Sequence, residues 1–378
     1  MSNEATPPGT GFTRMSATGT DKRQTPDRIL RVRNLDVWFE MDRGTAKVMD
    51  DVDMDIYRNE ILGIVGESGS GKSMFASAML DAVPEPGETT GSIRYYPDDG
   101  RDPIDVLDLS KNELKSFRWE EISMVFQGAM SSFNPTMTIG GHFEETIVEH
   151  GMDLDTQIDH ARTLIADLYL DPDRVLEAYP HELSGGMKQR ALIALSLVLE
   201  PDVLVMDEPT AALDLLMQQS IKTMLATLRD EYDLTIIFIT HDLPLVAGLV
   251  DRLAVIYAFD FVEAGTRDEV LLDAAHPYTR ALLSAVPSLD TPVDQMKPIE
   301  GSSPDPVKRL EGCAYHPRCP LADDRCAGSD PDHFSVSERH SVACFYSDEA
   351  AEAVPYTLES ELEIDLHLLE DQLQRGRQ

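Results

Sequence analysis

Residues 183–214 read LSGGMKQRALIALSLVLEPDVLVMDEPTAALD. Ser184, Gly185 and Gly186 stand just before an apolar-periodic run, Ala191 to Leu199, that Pro201 ends. This is a glycine-opened helix N-terminus, where unpaired backbone N–H groups and the helix dipole attract anions such as phosphate. Val203, Leu204, Val205 and Met206 follow as a short, wholly apolar segment. That pattern fits a strand buried at the centre of a parallel sheet. The strand ends on Asp207 and Glu208, two carboxylates where open α/β sheets place their ligands.

Upstream, Ile61 to Val65 predicts another apolar strand, followed directly by Gly66-Glu67-Ser68-Gly69-Ser70-Gly71-Lys72-Ser73. This octet matches G-x-x-x-x-G-K-S/T. Its glycines let backbone N–H groups turn inward around phosphate oxygens, Lys72 reaches the β- and γ-phosphates, and Ser73 offers a hydroxyl to Mg²⁺. A strand before it and a helix after it, Met74 to Leu80, supply the context the motif requires. The second carboxylate-tipped strand weighs against a chance glycine-rich turn.

Further out, Ile29 to Phe39 and Met49 to Ile56 read as strands joined by a turn at Asp42-Arg43-Gly44. Ile122 to Phe126 is an apolar strand ending at Gln127, and Leu234 to Thr240 another ending at His241. Between them, residues 139–179 carry apolar side chains such as Ala161, Leu164, Ile165 and Leu168 at helical spacing. Leu253 to Tyr257 and Phe261 to Gly265 suggest a closing hairpin. The expected division is a disordered tail at 1–27, a domain at 28–290 that carries the phosphate loop and includes a helical subdomain at about 135–200, a linker and Cys-rich segment at 291–347, and an acidic amphipathic helix at 348–378. Leu358, Leu362, Leu366, Leu369 and Leu373 mark that last helix, which either docks on its own domain or meets a partner.

The chain has 32 Lys and Arg against 68 Asp and Glu, a formal net charge of −36. Such a surface repels nucleic acid and anionic lipid, and it suits a salt-adapted organism, where screening weakens self-repulsion. No apolar run is long enough to span a bilayer, and the N-terminus lacks the apolar core of a signal peptide. Four cysteines near the C-terminus do not make a disulfide scaffold for a chain of 378 residues.

Together, from about Ile29 to Pro287, these motifs resemble the ATP-binding subunit of ABC transporters. The LSGG signature, the phosphate loop, Asp-Glu after an apolar strand and a later strand ending in His241 carry the resemblance. It implies an α/β, P-loop ABC ATPase core, a mixed sheet with helices, carrying an inserted helical subdomain and a Cys-rich C-terminal extension. Hydrolysis needs a positioned water, a proton acceptor, a metal and a charge clamp. The resemblance makes Glu208 the general base and His241 the γ-phosphate contact, with Lys72 the clamp. Asp207, Ser73 and Gln127 become Mg²⁺ ligands, direct or through water. Gln127 would also sense the transporter's membrane part, and the segment after it, with the helical subdomain, would receive a coupling helix from a permease. ATP would lie on residues 66–73, against an adenine-stacking Phe39, with Trp38 its rival on the opposite strand face. Ser184, Gly185, Gly186 and Asp214 would meet the ATP of a second subunit in a head-to-tail dimer.

His276-Pro277-Tyr278-Thr279-Arg280-Ala281-Leu282-Leu283, Ser131-Ser132-Phe133-Asn134-Pro135 and residues 312–320, GCAYHPRCP, resemble blocks of the dipeptide/oligopeptide transporter ATPases. Peptides are the implied cargo, although the same subfamily serves nickel, glutathione and some sugars. The implied partners are a second ATPase subunit, usually a paralogue, two membrane permeases and, indirectly, an external binding protein, with the ATPase on the cytoplasmic face of the membrane. Cys313, Cys319, Cys326 and Cys344 are separated by five, six and seventeen residues. Four thiolates can enclose zinc or an iron–sulfur cluster, or remain buried thiols; the tight knuckles zinc favours are absent. The resemblance implies a 4Fe–4S cluster with a structural role. A soluble ABC ATPase acting on nucleic acid is the rival class; sustained heptads, a second cassette and a basic patch are all missing from the sequence.

Overall fold

The computed structural model describes residues 27–126, 128, 132–210, 215–285, 299 and 301–356. Gln127, Asp214, residues 1–26, much of the proline-rich linker and the C-terminal leucine pattern lie outside the described residues.

The chain opens with β1 (Arg28–Met41) and β2 (Gly44–Tyr57), a long antiparallel hairpin turning at Asp42-Arg43. Then come β3 (Ile61–Val65), α1 (Lys72–Met79), β4 (Gly87–Tyr95), β5 (Ile104–Asp105), α2 (Lys111–Glu120) and β6 (Ile122–Val125). A helical stretch follows: α3 (Ile139–Glu149), α4 (Leu154–Asp167), α5 (Pro172–Glu177) and α6 (Gly185–Leu197). Thr138, Asp153, Asp171 and Ser184 each cap one of these helices by accepting a backbone N–H. The core closes with β7 (Val203–Asp207), α7 (Leu215–Tyr232), β8 (Thr235–Ile239), α8 (Leu243–Ala247), β9 (Arg252–Tyr257), β10 (Asp260–Thr266), α9 (Arg267–Leu272) and α10 (Pro277–Ser284). Beyond the linker lie α11 (Asp324–Gly328), β11 (Phe334–Ser335) and β12 (Ser341–Val342).

Two sheets result. A four-stranded antiparallel sheet has the order β2-β1-β4-β5. The central sheet runs β11-β12-β10-β9-β3-β8-β7-β6, parallel from β9 to β6 and antiparallel from β9 outward to β11. The parallel strands β3, β7, β8 and β9 are buried throughout, as their unbroken apolar runs require. Their side chains alternate between two cores. Leu62, Ile64, Val203, Val205, Ile237 and Ile239 face α1 and the antiparallel sheet. Ile61, Val65, Leu204, Met206, Ile236 and Phe238 face the helical side.

Two features lie outside the sequence reading. The stretch 81–121 carried no assignment, yet it holds β4, β5 and α2; β4 is a strand because β1 offers it an edge across Leu30–Tyr95 and Phe39–Gly87. The cysteine segment, expected as an extension beyond a linker, adds β12 to β10 through Glu263–Val342 and Ala264–Ser341 and so continues the central sheet.

Candidate active site

The site forms where β3, β7 and β8 end side by side. In a parallel sheet all these C-termini open on one edge, and each strand delivers its next residues there. After β3, residues 66–71 turn into α1, with Lys72 and Ser73 as its first two residues. Gly71 has φ 109°, and a Cβ on it would lie 2.4 Å from the Met49 Cε and 2.9 Å from the Val48 carbonyl oxygen. A Cβ on Gly66 would lie 2.2 Å from the Ile256 carbonyl oxygen. The loop is thus pressed between β2 and β9, a closeness only glycine allows. The tight β9–β10 turn, with Ala258 and Phe259 both at positive φ, adds a further tie: the Phe259 N–H donates to the Ser70 carbonyl at 3.1 Å.

Lys72 folds back into the loop, its Nζ donating to the carbonyls of Gly66 at 2.8 Å and Glu67 at 2.9 Å. Burial depresses its pKa, while Glu208, Asp207 and Glu67 oppose that effect. Asp207, at the end of β7, is buried, which raises its pKa; a hydrogen bond from Ser73 works against the rise. Glu208 follows with φ 50°, its N–H held by the Ile239 carbonyl at 2.9 Å, so β8 fixes the turn that aims it. Glu208 Oε1 lies 2.8 Å from Nδ1 of His241, two residues past β8. Ser70 Oγ, Asp207 Oδ1 and Glu208 Oε2 are buried without a hydrogen-bond partner. Buried polar atoms normally have partners. Three orphans converging on one strand edge, next to an ammonium and a loop of backbone N–H groups, match the donor set that a magnesium-bound triphosphate would complete.

The structure therefore brings together residues 66–73, Asp207, Glu208 and His241. Ser184 caps α6, its Oγ accepting from Met187 N–H at 3.3 Å; it is exposed, while Gly185 and Gly186 beside it at the helix tip are half-buried. No described hydrogen bond joins that tip to the chain's own phosphate loop. Phe39 is half-buried, its ring against Gly87, on the strand beside β2. Gln127 and Asp214 lie outside the described residues. Tyr278, in the block His276 to Leu283 that resembles the subfamily, also reaches the site: its hydroxyl accepts the Glu67 N–H at 3.0 Å. Its sequence position, over two hundred residues away, gave no sign of this.

A pocket at the end of β6 is lined by Trp119, Phe126, Phe133, His142, Glu145 and Leu195 among others, and Phe126 is 51% exposed there. Farther along the chain, Cys313, Cys319, Cys326 and Cys344 are all free thiols and line one pocket. Burial pushes the Cys313 thiol up to about 11 and Cys344 up to about 12. Among the described residues no group of three or more His, Cys, Asp or Glu is gathered so as to hold a metal ion, so neither zinc nor a cluster finds a formed ligand set here. No described helix is long and apolar enough to cross a membrane.

Residues 49–211 match the family described as ABC transporter, and residues 262–326 the C-terminal region of oligopeptide/dipeptide transporters. The dipeptide transport ATP-binding protein DppD of Caldanaerobacter subterraneus subsp. tengcongensis is 38% identical over 85% of this chain and 98% of its own length. The oligopeptide transport ATP-binding protein OppD of Escherichia coli is 38% identical over 82% and 90% respectively. Among solved structures, a dimeric ATP-binding cassette in a post-hydrolysis state with ADP and Pi superposes with a TM-score of 0.55 at 25% identity, covering 63% of this chain and 99% of that one.

Proposed function

The chain belongs to the ATP-binding proteins of ABC transporters, in the dipeptide and oligopeptide subfamily, and we propose on that premise that it is the ATP-hydrolysing subunit of a peptide importer. One observation carries the reading: Lys72, Ser73, Asp207 and the Glu208–His241 pair converge at three adjacent strand ends, with three buried polar atoms left for a ligand. Residues 66–73 cradle the phosphates of ATP, and Lys72 exchanges its carbonyl partners for phosphate oxygens. Ser73 and Asp207, with Gln127, would hold Mg²⁺, and Phe39 stacks on the adenine. Bound there, Mg²⁺ would neutralise phosphate charge. Glu208 takes the proton of the attacking water, and His241, hydrogen-bonded to it, orients it towards the γ-phosphate.

Two subunits close head-to-tail around the nucleotide, each offering Ser184, Gly185, Gly186 and Asp214 to the other's ATP. The exposed Ser184 at the tip of α6 supports this, as does the dimeric state named for the structural neighbour. The second subunit is a paralogue or a copy. The aromatic pocket around Phe126 and Phe133 is offered to a coupling helix of one of two permeases, at the cytoplasmic face of the membrane. An external binding protein delivers the cargo. The four thiols that line one pocket would supply the four thiolates that a 4Fe–4S cluster takes. Such a cluster supplies a cross-link for a segment with little core of its own, and a cation is what would draw thiols raised by burial into thiolates.

The test is nucleotide-dependent association. Glu208→Gln protein mixed with its cognate ATPase subunit should form a dimer on ATP and Mg²⁺, visible by light scattering. Monomers at saturating ATP would sink the composite site. For the cysteines, anaerobically purified protein should contain iron and sulfide and absorb broadly in the visible; colourless, iron-free protein ends that part.

A further inference from the structure

Glu67, whose side chain the phosphate-loop motif leaves unspecified, is held through every polar group it has. Its N–H donates to the Tyr278 hydroxyl at 3.0 Å, and its carbonyl accepts from Lys72 Nζ at 2.9 Å and from the Ser70 N–H at 3.2 Å. Its carboxylate is met by a fork: Arg318 Nη2 donates to Oε1 at 3.0 Å and Nη1 to Oε2 at 3.2 Å, with Ser303 Oγ donating to Oε2 at 2.7 Å. The Arg318 side chain is 8% exposed, and its guanidinium lies over the rings of Tyr257 and Tyr315, 5.6 and 5.8 Å from their centroids. A two-pronged, half-dry ion pair of this kind fixes both position and orientation, which a single point charge cannot do. Arg318 directly precedes Cys319, in the turn that starts at Cys313, where the His316 N–H donates to the Cys313 carbonyl at 3.0 Å. One residue of the cysteine segment therefore reaches the loop that receives phosphate.

We propose that Arg318 is a positioning residue for nucleotide binding: through the fork to Glu67 it holds the phosphate loop, and Lys72 with it, in the shape that accepts ATP. The inference rests on the ATP-binding reading above. It requires no contact between Arg318 and nucleotide. The strut tunes the ground-state shape of the loop, so its loss weakens ATP binding and leaves the chemical step, set by Glu208 and His241, nearly intact.

The experiment titrates the full chain with a fluorescent ATP analogue and Mg²⁺, and measures steady-state hydrolysis, for the wild type, Arg318→Lys, Arg318→Met, Glu67→Gln and the Arg318→Met/Glu67→Gln pair. Arg318→Met should raise Kd and KM about tenfold while kcat stays within about twofold. Arg318→Lys should recover part of the affinity, since it returns the charge without the fork. The pair should bind no worse than Arg318→Met alone, because the two side chains act as one. Wild-type affinity in folded Arg318→Met, or independent multiplication of the two single effects, overturns the proposal. If Arg318→Met does not fold, the Arg318→Lys effect decides: measured also in a further Arg318→Lys/Glu67→Gln pair, it must vanish when Glu67 is already Gln. A wild type that binds no ATP analogue would instead overturn the ATP-binding reading itself, and the strut with it.

Discussion

Residues 61–73 and residues 301–346 meet at Glu67, but they are ordered by different means. The first is one continuous strand, loop and helix, shaped from within by glycines at the tight points and by Lys72 turned back on Gly66 and Glu67, and tied from outside by Phe259, Tyr278 and Arg318. The second has a single 3-10 turn at His316–Arg318, a short helix, α11, and two-residue strands among its described residues. It takes its order from outside, from β12 on β10, from the Pro306 carbonyl on Lys47 N–H, from Asp305 on Arg43 and from Arg318 on Glu67. The phosphate loop thus begins as a local structure, while part of its stiffness is borrowed from a segment with little regular structure of its own.

Substitutions should separate the two. Glu208→Gln removes the proton acceptor from the strand edge; steady-state hydrolysis should fall by roughly 10²- to 10³-fold while the thermal melt hardly moves. An unchanged rate would remove Glu208 from the chemistry. At the docking edge, Glu263 is fully buried on β10 and accepts from the Ala275 N–H at 2.6 Å, the His276 N–H at 3.0 Å and His340 Nε2 at 2.7 Å. Glu263→Ala should cost about 3 kcal/mol in urea unfolding, because it strands three buried partners, with little change in ATP affinity per folded molecule. If activity fell before stability did, the contrast between the regions would fail.

A smaller effect is expected with pH. Burial holds the His276 imidazole down at about 3, against its ordinary 6.5, and its Nδ1 accepts the Tyr278 N–H at 3.0 Å. The native state resists this proton, so the site's stability is whole above about pH 6.5 and drains as pH falls towards 3. His276→Asn keeps an acceptor but cannot titrate; its stability curve should be shallower over that window by up to about 1.4 kcal/mol per pH unit. Parallel curves would mean the imidazole is not what senses acid there. The smallest expected shift concerns the whole surface. With a net charge of −36, and with Asp260 pushed up to about 8 by burial and by Asp50, Asp330 and Asp51, raising KCl from about 0.1 M to about 2 M should lift the melting temperature by roughly 5 °C. A melt indifferent to salt would detach the acidic surface from salt adaptation.

Periodicity and motif spacing made β3, β7, β8 and the loop of residues 66–73 legible, because buried parallel strands need unbroken apolar runs and a phosphate loop needs its glycines in a fixed order. The same reading left 81–121 blank. β4 reads GETTGSIRY, a weak pattern whose identity as a strand depends on the edge that β1 presents. It also treated Tyr278 and Arg318 as marks of a subfamily, since nothing in the spacing of residues 67, 278 and 318 says they touch.

What the sequence determined by itself was the family, the parallel core and the residues that gather at three strand ends, because each depends on backbone demands felt within a few neighbouring residues. What only the tertiary structure decided was the continuation of the central sheet by β12 and the grip of Arg318 on Glu67. Those contacts pair groups far apart in the chain, and their geometry exists only after the layers have packed.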